Sequence, residues 1–391
     1  MSHKSQKESR CIVVKITVAV DSMKGSLSSV QAGEAICEGI RRVLPDALVR
    51  ICPIADGGEG IVDALLSAAG GITKSTTATN PLGLPTEAVY GIIPHTKTAI
   101  IEVAAATGLT LIDDSDKNPL YTTTYGVGEL ILDAISSGCR HYIIGLGGSA
   151  TNDGGVGMLQ ALGYEFLDQS GNQIPFGAKG LAQMVTIREQ NRVAELSECT
   201  FLVACDVTNP LCGEHGASAV YGPQKGAAPD TIPKMDQGLS HYAHLTKALH
   251  PSADETAPGA GAAGGLGFAF LSYLNARLMS GIDLVIQQSG LENMIKDADL
   301  VITGEGKLDG QSFQGKAPIG IAKLAKRYGK PVIAFSGSAG QDATICNEHG
   351  IDAFFPIIRT PCSLDDAMKH APSNLANTVE QVFRLITAIL K

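Results

Sequence analysis

A strand that runs straight into a string of glycines and then into a helix is the feature that most restricts this chain. The apolar run His141 to Ile144 leads into Gly145-Leu146-Gly147-Gly148-Ser149-Ala150-Thr151-Asn152-Asp153-Gly154-Gly155, and a short helical pattern follows. Such a junction aims backbone N–H groups and the positive end of a helix at one point, which suits an anion and above all a phosphate. Read literally, Gly145-x-Gly147-x-x-Ala150 also fits the dinucleotide fingerprint, with Asp168 supplying an acidic residue further on. Asp153 weighs against a dinucleotide, because a carboxylate in the same loop repels a pyrophosphate unless a cation lies between them. A carboxylate beside a phosphate cradle is better explained by Mg²⁺. The plain alternative is a glycine turn that only packs a helix against a sheet.

A chain of 391 residues has room for roughly two or three domains with proper cores. Its 45 glycines follow no period, so they mark turns and close backbone approaches. A formal charge of −9 and the lack of any basic run with interleaved aromatics exclude nucleic acid and an anionic membrane as partners. A small anionic substrate is left as the partner class, bound through local lysines, and a homo-oligomer is compatible with all of this. The nine cysteines are scattered without a C-x-x-C pair, as expected of reduced thiols in a cytoplasmic protein. No stretch offers 18 uninterrupted apolar residues, and Met1 to Arg10 reads as a disordered tail.

Ile12 to Val20 is almost wholly apolar and β-branched, as in a strand of a parallel sheet covered on both faces. Ser28-x-x-Gln31 then predicts a capping box for a helix with Ile36, Ile40, Val43 and Leu44 on one side. Leu48 to Ile54 predicts a second strand, Thr73 to Thr79 and Thr86 to Ile93 a hairpin, and Thr98 to Val103 and Thr200 to Ala204 two more strands. From about residue 281 the strand and helix alternation of the first 75 residues returns, with strands at Leu300 to Thr303, Val332 to Phe335 and Ala353 to Ile358. The two ends therefore share one sheet. The expected fold is α/β: a discontinuous Rossmann-like parallel-sheet domain over 11–78 and 281–391, with a second α/β domain over 79–280 inserted into it and the active site in the cleft between them.

Polar candidates cluster where strands end. Asp21-Ser22-Met23-Lys24-Gly25-Ser26 follows the first strand and Asp56-Gly57-Gly58-Glu59 the second, although Asp56 and Glu59 are equally suited to helix capping. Asp206, in Cys205-Asp206-Val207-Thr208-Asn209-Pro210, sits where metal-holding aspartates often stand, but ordinary turn chemistry explains it as well. His241, His244 and His250 lack zinc-motif spacing and read as solvated helix residues. Pro258 to Gly267 holds a second literal G-x-G-x-x-G with no strand before it, so it is a glycine-rich helix start that either packs tightly or faces a ligand. Gly304 to Pro318 reads as a long loop. Its Gly310-x4-Gly315-Lys316 has P-loop spacing, but Ala317 replaces the Mg²⁺-binding hydroxyl, so Glu305 or Asp309 would have to hold the metal. Lys316, beside Pro318 at a helix start, is placed to meet a phosphate or carboxylate.

Taken together these loops resemble the class I glycerate kinase family. The likeness runs from about Ile16 through Asp21-Ser-x-Lys24-Gly25-Ser26, Ala55-Asp56-Gly57-Gly58-Glu59-Gly60, Thr122-Thr-Thr-Tyr-Gly-Val-Gly-Glu129, the opening glycine loop, Ala204-Cys-Asp206-Val-Thr-Asn-Pro210, Tyr221-Gly-Pro-Gln-Lys225-Gly226, Pro258 to Gly267 and Thr303-Gly-Glu305-Gly-x-Leu-Asp309. Val20 and Met23 depart from the Pro and Phe common in the family, without removing a polar group. The resemblance implies a two-domain enzyme that uses ATP and Mg²⁺ to phosphorylate D-glycerate, usually to 2-phosphoglycerate, with 3-kinases also described.

Phosphoryl transfer needs positioning, charge neutralisation and a carboxylate for the attacking hydroxyl. The residues expected to supply these are Gly147, Gly148, Ser149, Gly154, Gly264 and Gly265 for the ATP phosphates, and Asp153, Asp206 and Glu305 for Mg²⁺. Lys24 and Lys316 are expected at the glycerate carboxylate or γ-phosphoryl group, and Asp21 as general base with Asp309 as runner-up. A nicotinamide oxidoreductase and a non-catalytic small-acid binding protein are the alternatives from other classes.

Overall fold

The computed structural model describes residues 13–55, 58, 60–310 and 317–390. In chain order its strands are β1 (Lys15–Val20), β2 (Leu48–Ile51), β3 (Ile72–Thr79), β4 (Pro85–Ile93), β5 (Thr98–Glu102), β6 (His141–Gly145), β7 (Glu165–Leu167), β8 (Thr186–Arg188), β9 (Thr200–Ala204), β10 (Arg277–Met279), β11 (Leu300–Leu308), β12 (Val332–Ala339) and β13 (Ala353–Pro356). The chain divides into two compact units, one made of residues up to 54 and from 290 onward, the other of 55–289.

In the first unit the strand order is β13-β12-β11-β1-β2, with every pair parallel. The five residues Ile16 to Val20 are buried without alternation because both sheet faces are covered. Ile16, Val18 and Val20 share a core with Ile36 and Ile40 of the helix Ser29–Arg41 and with Leu375, Val379 and Phe383 of the helix Ala371–Leu390. Each such side chain contributes about 1.5–3 kcal/mol on burial. The predicted capping box is present: Gln31 N–H donates to Ser28 Oγ and Ser28 N–H to Gln31 Oε1. After β2 the chain returns on the other side of β1, so the strand order reverses between β1 and β11. In open α/β sheets, ligands lie outside the carboxyl ends of the strands at such a reversal.

β11 is longer than the sequence reading. It continues through Gly304-Glu305-Gly306 to Leu308, because β12 runs beside it and pairs Glu305 with Ser336 and Leu308 with Ala339. Gly304 is a sheet glycine, not a loop one: a Cβ there would lie 1.9 Å from the Phe335 carbonyl oxygen.

The second unit has a six-stranded sheet, β10-β9-β6-β5-β4-β3, and a separate antiparallel pair, β7-β8. β3, β4 and β5 are antiparallel neighbours, whereas β5, β6, β9 and β10 are parallel. The boundary expected near residue 78 falls instead after Ile54, since β3 pairs along its whole length with β4 and the helix Ile61–Ala69 packs on the same sheet. The helix Gly281–Ser289 likewise belongs to this unit. In a chain without tryptophan, buried Tyr90, Tyr142, Tyr164, Tyr242, Phe166, Phe268 and Phe270 fill the core. No described helix is long and apolar enough to cross a membrane. The described cysteines are free thiols.

Candidate active site

The glycine loop leaves β6 at Gly145, where a Cβ would sit 2.4 Å from the Gly58 carbonyl oxygen, so glycine is obligatory for that approach. Two backbone bonds then hold the loop against residues 107–109, from Leu109 N–H to the Gly148 carbonyl (2.8 Å) and from Ala150 N–H to the Thr107 carbonyl (2.7 Å). Gly148 is left-handed, with φ +64°. Among the described residues, none accepts a hydrogen bond from the N–H groups of Gly147, Gly148 or Ser149. Such a run of N–H groups around a left-handed glycine is a concavity suited to an anion. These three residues line a cavity of about 220 Å³, shared with Leu109, Leu146, Val207, Tyr221, Gln224, Lys225 and Ala263.

Lys225 was not among the expected site residues, yet it dominates the cavity. It lies on the short turn Pro223–Lys225, is 2% exposed, and donates from Nζ to Ser149 Oγ (3.1 Å) and the Thr151 carbonyl (2.6 Å). Among the described residues no carboxylate lies within ion-pairing distance of it. Burial depresses its pKa from 10.5 to about 7, against the opposing pull of the Asp153 charge. A lysine is almost never fully buried unless it is paired. The only trace of it in the sequence was its place in Tyr221-Gly-Pro-Gln-Lys225-Gly226.

Asp153, expected as a metal ligand, is engaged by donors of its own chain. It is 1% exposed, and its Oδ2 accepts from Thr124 N–H (2.8 Å), Thr124 Oγ1 (2.9 Å) and Gly157 N–H (3.3 Å), while Oδ1 accepts from Gly155 N–H (3.1 Å). Burial raises its pKa and these donors oppose the rise. The carboxylate ties the loop to the entry of the helix Tyr125–Ser136 and to the first turn of its own helix, Val156–Ala161. It is an internal strut, turned into the protein.

Gly154, Gly264 and Gly265, expected at the ATP phosphates, are held in close backbone packing. Gly154 N–H donates to the Gly264 carbonyl (3.0 Å), and a Cβ on Gly264 would lie 2.0 Å from the Thr151 carbonyl oxygen. A Cβ on Gly265 would lie 2.7 Å from Gly154 Cα. These glycines seat the kink in the helix Ala262–Tyr273 against the loop, with left-handed φ at Ala263, Gly264 and Gly265. Ala263 is the residue of that kink that reaches the cavity.

Asp206 stands two residues beyond Ala204, which pairs with Gly145 at the foot of the loop. It is exposed, and its Oδ1 accepts from Gly281 N–H (2.9 Å).

The first unit gathers a second set at its strand reversal. Val20 pairs with Gly304, so Asp21 and Glu305 each follow one residue beyond that pair. Asp21 N–H donates to the Gly304 carbonyl (2.9 Å), and Asp21 Oδ1 accepts from Ser22 N–H (2.6 Å). A Cβ on Gly306 would lie 3.3 Å from Lys24 N, which lets the Met23-Lys24 turn pass close over β11. Lys24, Ser26, Gly306 and Ser338 line the polar side of a cavity of about 120 Å³. Glu305 is 7% exposed on β11, and Asp309, just past its end, pairs with Lys307 (2.9 Å). Lys316, Asp56, Glu59 and the first ten residues lie outside the described residues. Among the described residues no group of three or more His, Cys, Asp or Glu side chains could hold a metal ion.

The family model of the glycerate kinase family matches residues 16–387. The chain belongs to the glycerate kinase family. It is 47% identical to the glycerate 2-kinase of Escherichia coli K12 over 370 residues, covering 94% of this chain and 97% of that one. Identity to the glycerate kinase of Bacillus subtilis 168 is 47% over 369 residues, with the same coverage. The crystal structure assigned as glycerate kinase 2 of Salmonella typhimurium LT2 superposes with a TM-score of 0.87 at 45% identity, covering 97% of this chain and all of that one. This family member is thus a kinase, an ATP-using phosphotransferase. The nicotinamide alternative is set aside on these findings.

Proposed function

We propose that this glycerate kinase transfers the γ-phosphoryl group of Mg²⁺-bound ATP to the 2-hydroxyl of D-glycerate, giving 2-phosphoglycerate and ADP. The observation that carries the reading is the cavity lined by Gly147, Gly148, Ser149 and Lys225, where the N–H groups of the first three have no acceptor among the described residues. Nothing in a hydroxy acid alone calls for so many donors, whereas a polyphosphate does. The apolar side of the same cavity, with Leu109, Leu146 and Val207, suits the non-phosphate part of a nucleotide.

The acceptor's residues are assigned to the strand reversal of the first unit. Asp21 orients and deprotonates the attacking hydroxyl, Lys24 meets the carboxylate of glycerate, and Asp309 is the second choice as base. Lys316 retains its proposed part at the γ-phosphoryl group. Excluding water from the bound substrates protects the γ-phosphate from hydrolysis.

Mg²⁺ is usually bound by one or two carboxylates together with substrate phosphates, not by an all-protein cage. The scattered carboxylates described above fit that mode. Exposed Asp206, beside the loop, is the first choice for holding the ion, with Glu305 second. When bound, the ion neutralises charge on the phosphates. The free thiols fit a reducing compartment, and we place the enzyme in the cytoplasm.

The test is ADP release from ATP with D-glycerate, with product read by enolase coupling in the absence of phosphoglycerate mutase. Enolase signal matching ADP release is expected. ADP release without that signal overturns the 2-position in favour of the 3-hydroxyl, and its absence overturns D-glycerate as acceptor.

A further inference from the structure

A lysine buried beside backbone donors, with no counter-ion among the described residues, is an incomplete arrangement. Lys225 is 2% exposed, and both of its partners among the described residues, Ser149 Oγ and the Thr151 carbonyl, are neutral. One of those partners is itself a wall of the cavity, as is Lys225. The charge that faces it from behind is Asp153, whose oxygens are engaged by Thr124, Gly155 and Gly157. In the cavity lining the other titratable side chain is Tyr221, whose hydroxyl donates to Asn209 Oδ1 (2.6 Å).

Resting on the nucleotide reading of this cavity, we propose that Lys225 is the side chain that meets the nucleotide's phosphate, and that it takes up a proton as it does so. Without ligand the amine is held by two neutral oxygens and shielded from water, which favours its uncharged form. Ser149 Oγ can donate as well as accept, so it can turn to the incoming phosphate as the ammonium forms. A phosphate oxygen in the cavity supplies the missing negative charge, and the proton comes from solvent, so the step is binding coupled to protonation with no covalent change. Nucleotide affinity then falls as pH rises above neutrality. Ser149 and Lys225 act as one recognition pair, and Asp153 keeps the loop in the shape that presents them.

The experiment is calorimetric titration with ADP at pH 8.5 in buffers of different ionisation enthalpy, repeated on Lys225→Met and Lys225→Arg. From the unliganded value of about 7, uptake of about one proton per ADP is expected at pH 8.5, and about 20-fold weaker binding at pH 9.0 than at pH 7.5. Lys225→Met should show almost no uptake and a flat pH profile. Lys225→Arg, charged throughout, should bind ADP without uptake. Uptake in Lys225→Met equal to that of the parent overturns the proposal, as does ADP binding without uptake in the parent. Failure of the parent to bind ADP at any pH, with thermal melting intact, overturns the nucleotide reading itself and is distinguishable from both.

Discussion

Replacing Asp153 by Asn separates a structural strut from a metal ligand. Oδ2 gathers three donors and Oδ1 one. The amide of Asn keeps its oxygen where the three converge, and its NH₂ group then confronts the N–H of Gly155. One backbone donor and the amide hydrogens are stranded in a fully buried place, at about 1–3 kcal/mol for each unsatisfied group. The three remaining bonds lose their charge assistance. Removing a buried negative charge works the other way. The balance is a loss of about 2–4 kcal/mol, which for a unit of this size lowers its melting temperature by about 5–15 °C. Differential scanning calorimetry without Mg²⁺ or nucleotide reads this directly. Thr124→Val, which removes the hydroxyl that donates to Asp153 and accepts from Met158 N–H (2.9 Å), should lower it in the same direction. An Asp153→Asn protein that melts within about 1 °C of the parent while its Mg²⁺ requirement rises would refute the strut and restore the metal ligand.

Other substitutions follow from the same geometry. Lys225→Met should stabilise the protein below neutrality: the lysine's folded pKa lies below its unfolded value, so its burial penalty is fully present below pH 7 and disappears as pH rises from about 7 to 10.5. The advantage, on the order of 3–5 kcal/mol at pH 6.5, should fade towards pH 10 in denaturant titrations, and an advantage independent of pH would contradict it. Gly264→Ala should lose about 2–4 kcal/mol, since it combines φ +71° with a Cβ 2.0 Å from the Thr151 carbonyl oxygen; unchanged melting would show that the kink can relax. Ser28→Ala should cost about 1 kcal/mol through loss of the capping box, measured by urea unfolding, without altering turnover.

Elements whose evidence is local were legible in the sequence. The buried strand at Ile16 to Val20, the Ser28 and Gln31 capping box, the β3-β4 hairpin and the glycine loop behind β6 all follow from neighbours within a few residues. What escaped the sequence depends on partners far along the chain. Asp153 is a loop carboxylate until Thr124, 29 residues earlier, is seen to claim it. Lys225 reads as a surface lysine until it is found donating to Ser149, 76 residues away. Gly304 and Gly306 read as loop because glycine disfavours strands, yet β12 approaches so closely that a side chain at Gly304 would collide with it. The unit boundary moved for the same reason: the hairpin is joined to the second unit through the pairing of β4 with β5 and through the helix Ile61–Ala69 that packs on both, which local texture does not reveal.

The proposed division of labour holds nucleotide at the Gly147 to Ser149 cavity and activates the acceptor hydroxyl at Asp21. Steady-state kinetics of ADP release, varying ATP and D-glycerate separately at pH 7.5, test it on two variants. Lys225→Met should raise KM for ATP about 10-fold or more and leave KM for D-glycerate within about 2-fold. Asp21→Asn should lower kcat by about 10²-fold or more with both KM values nearly unchanged. Near-normal turnover in Asp21→Asn, or an unaltered KM for ATP in Lys225→Met, would contradict that division.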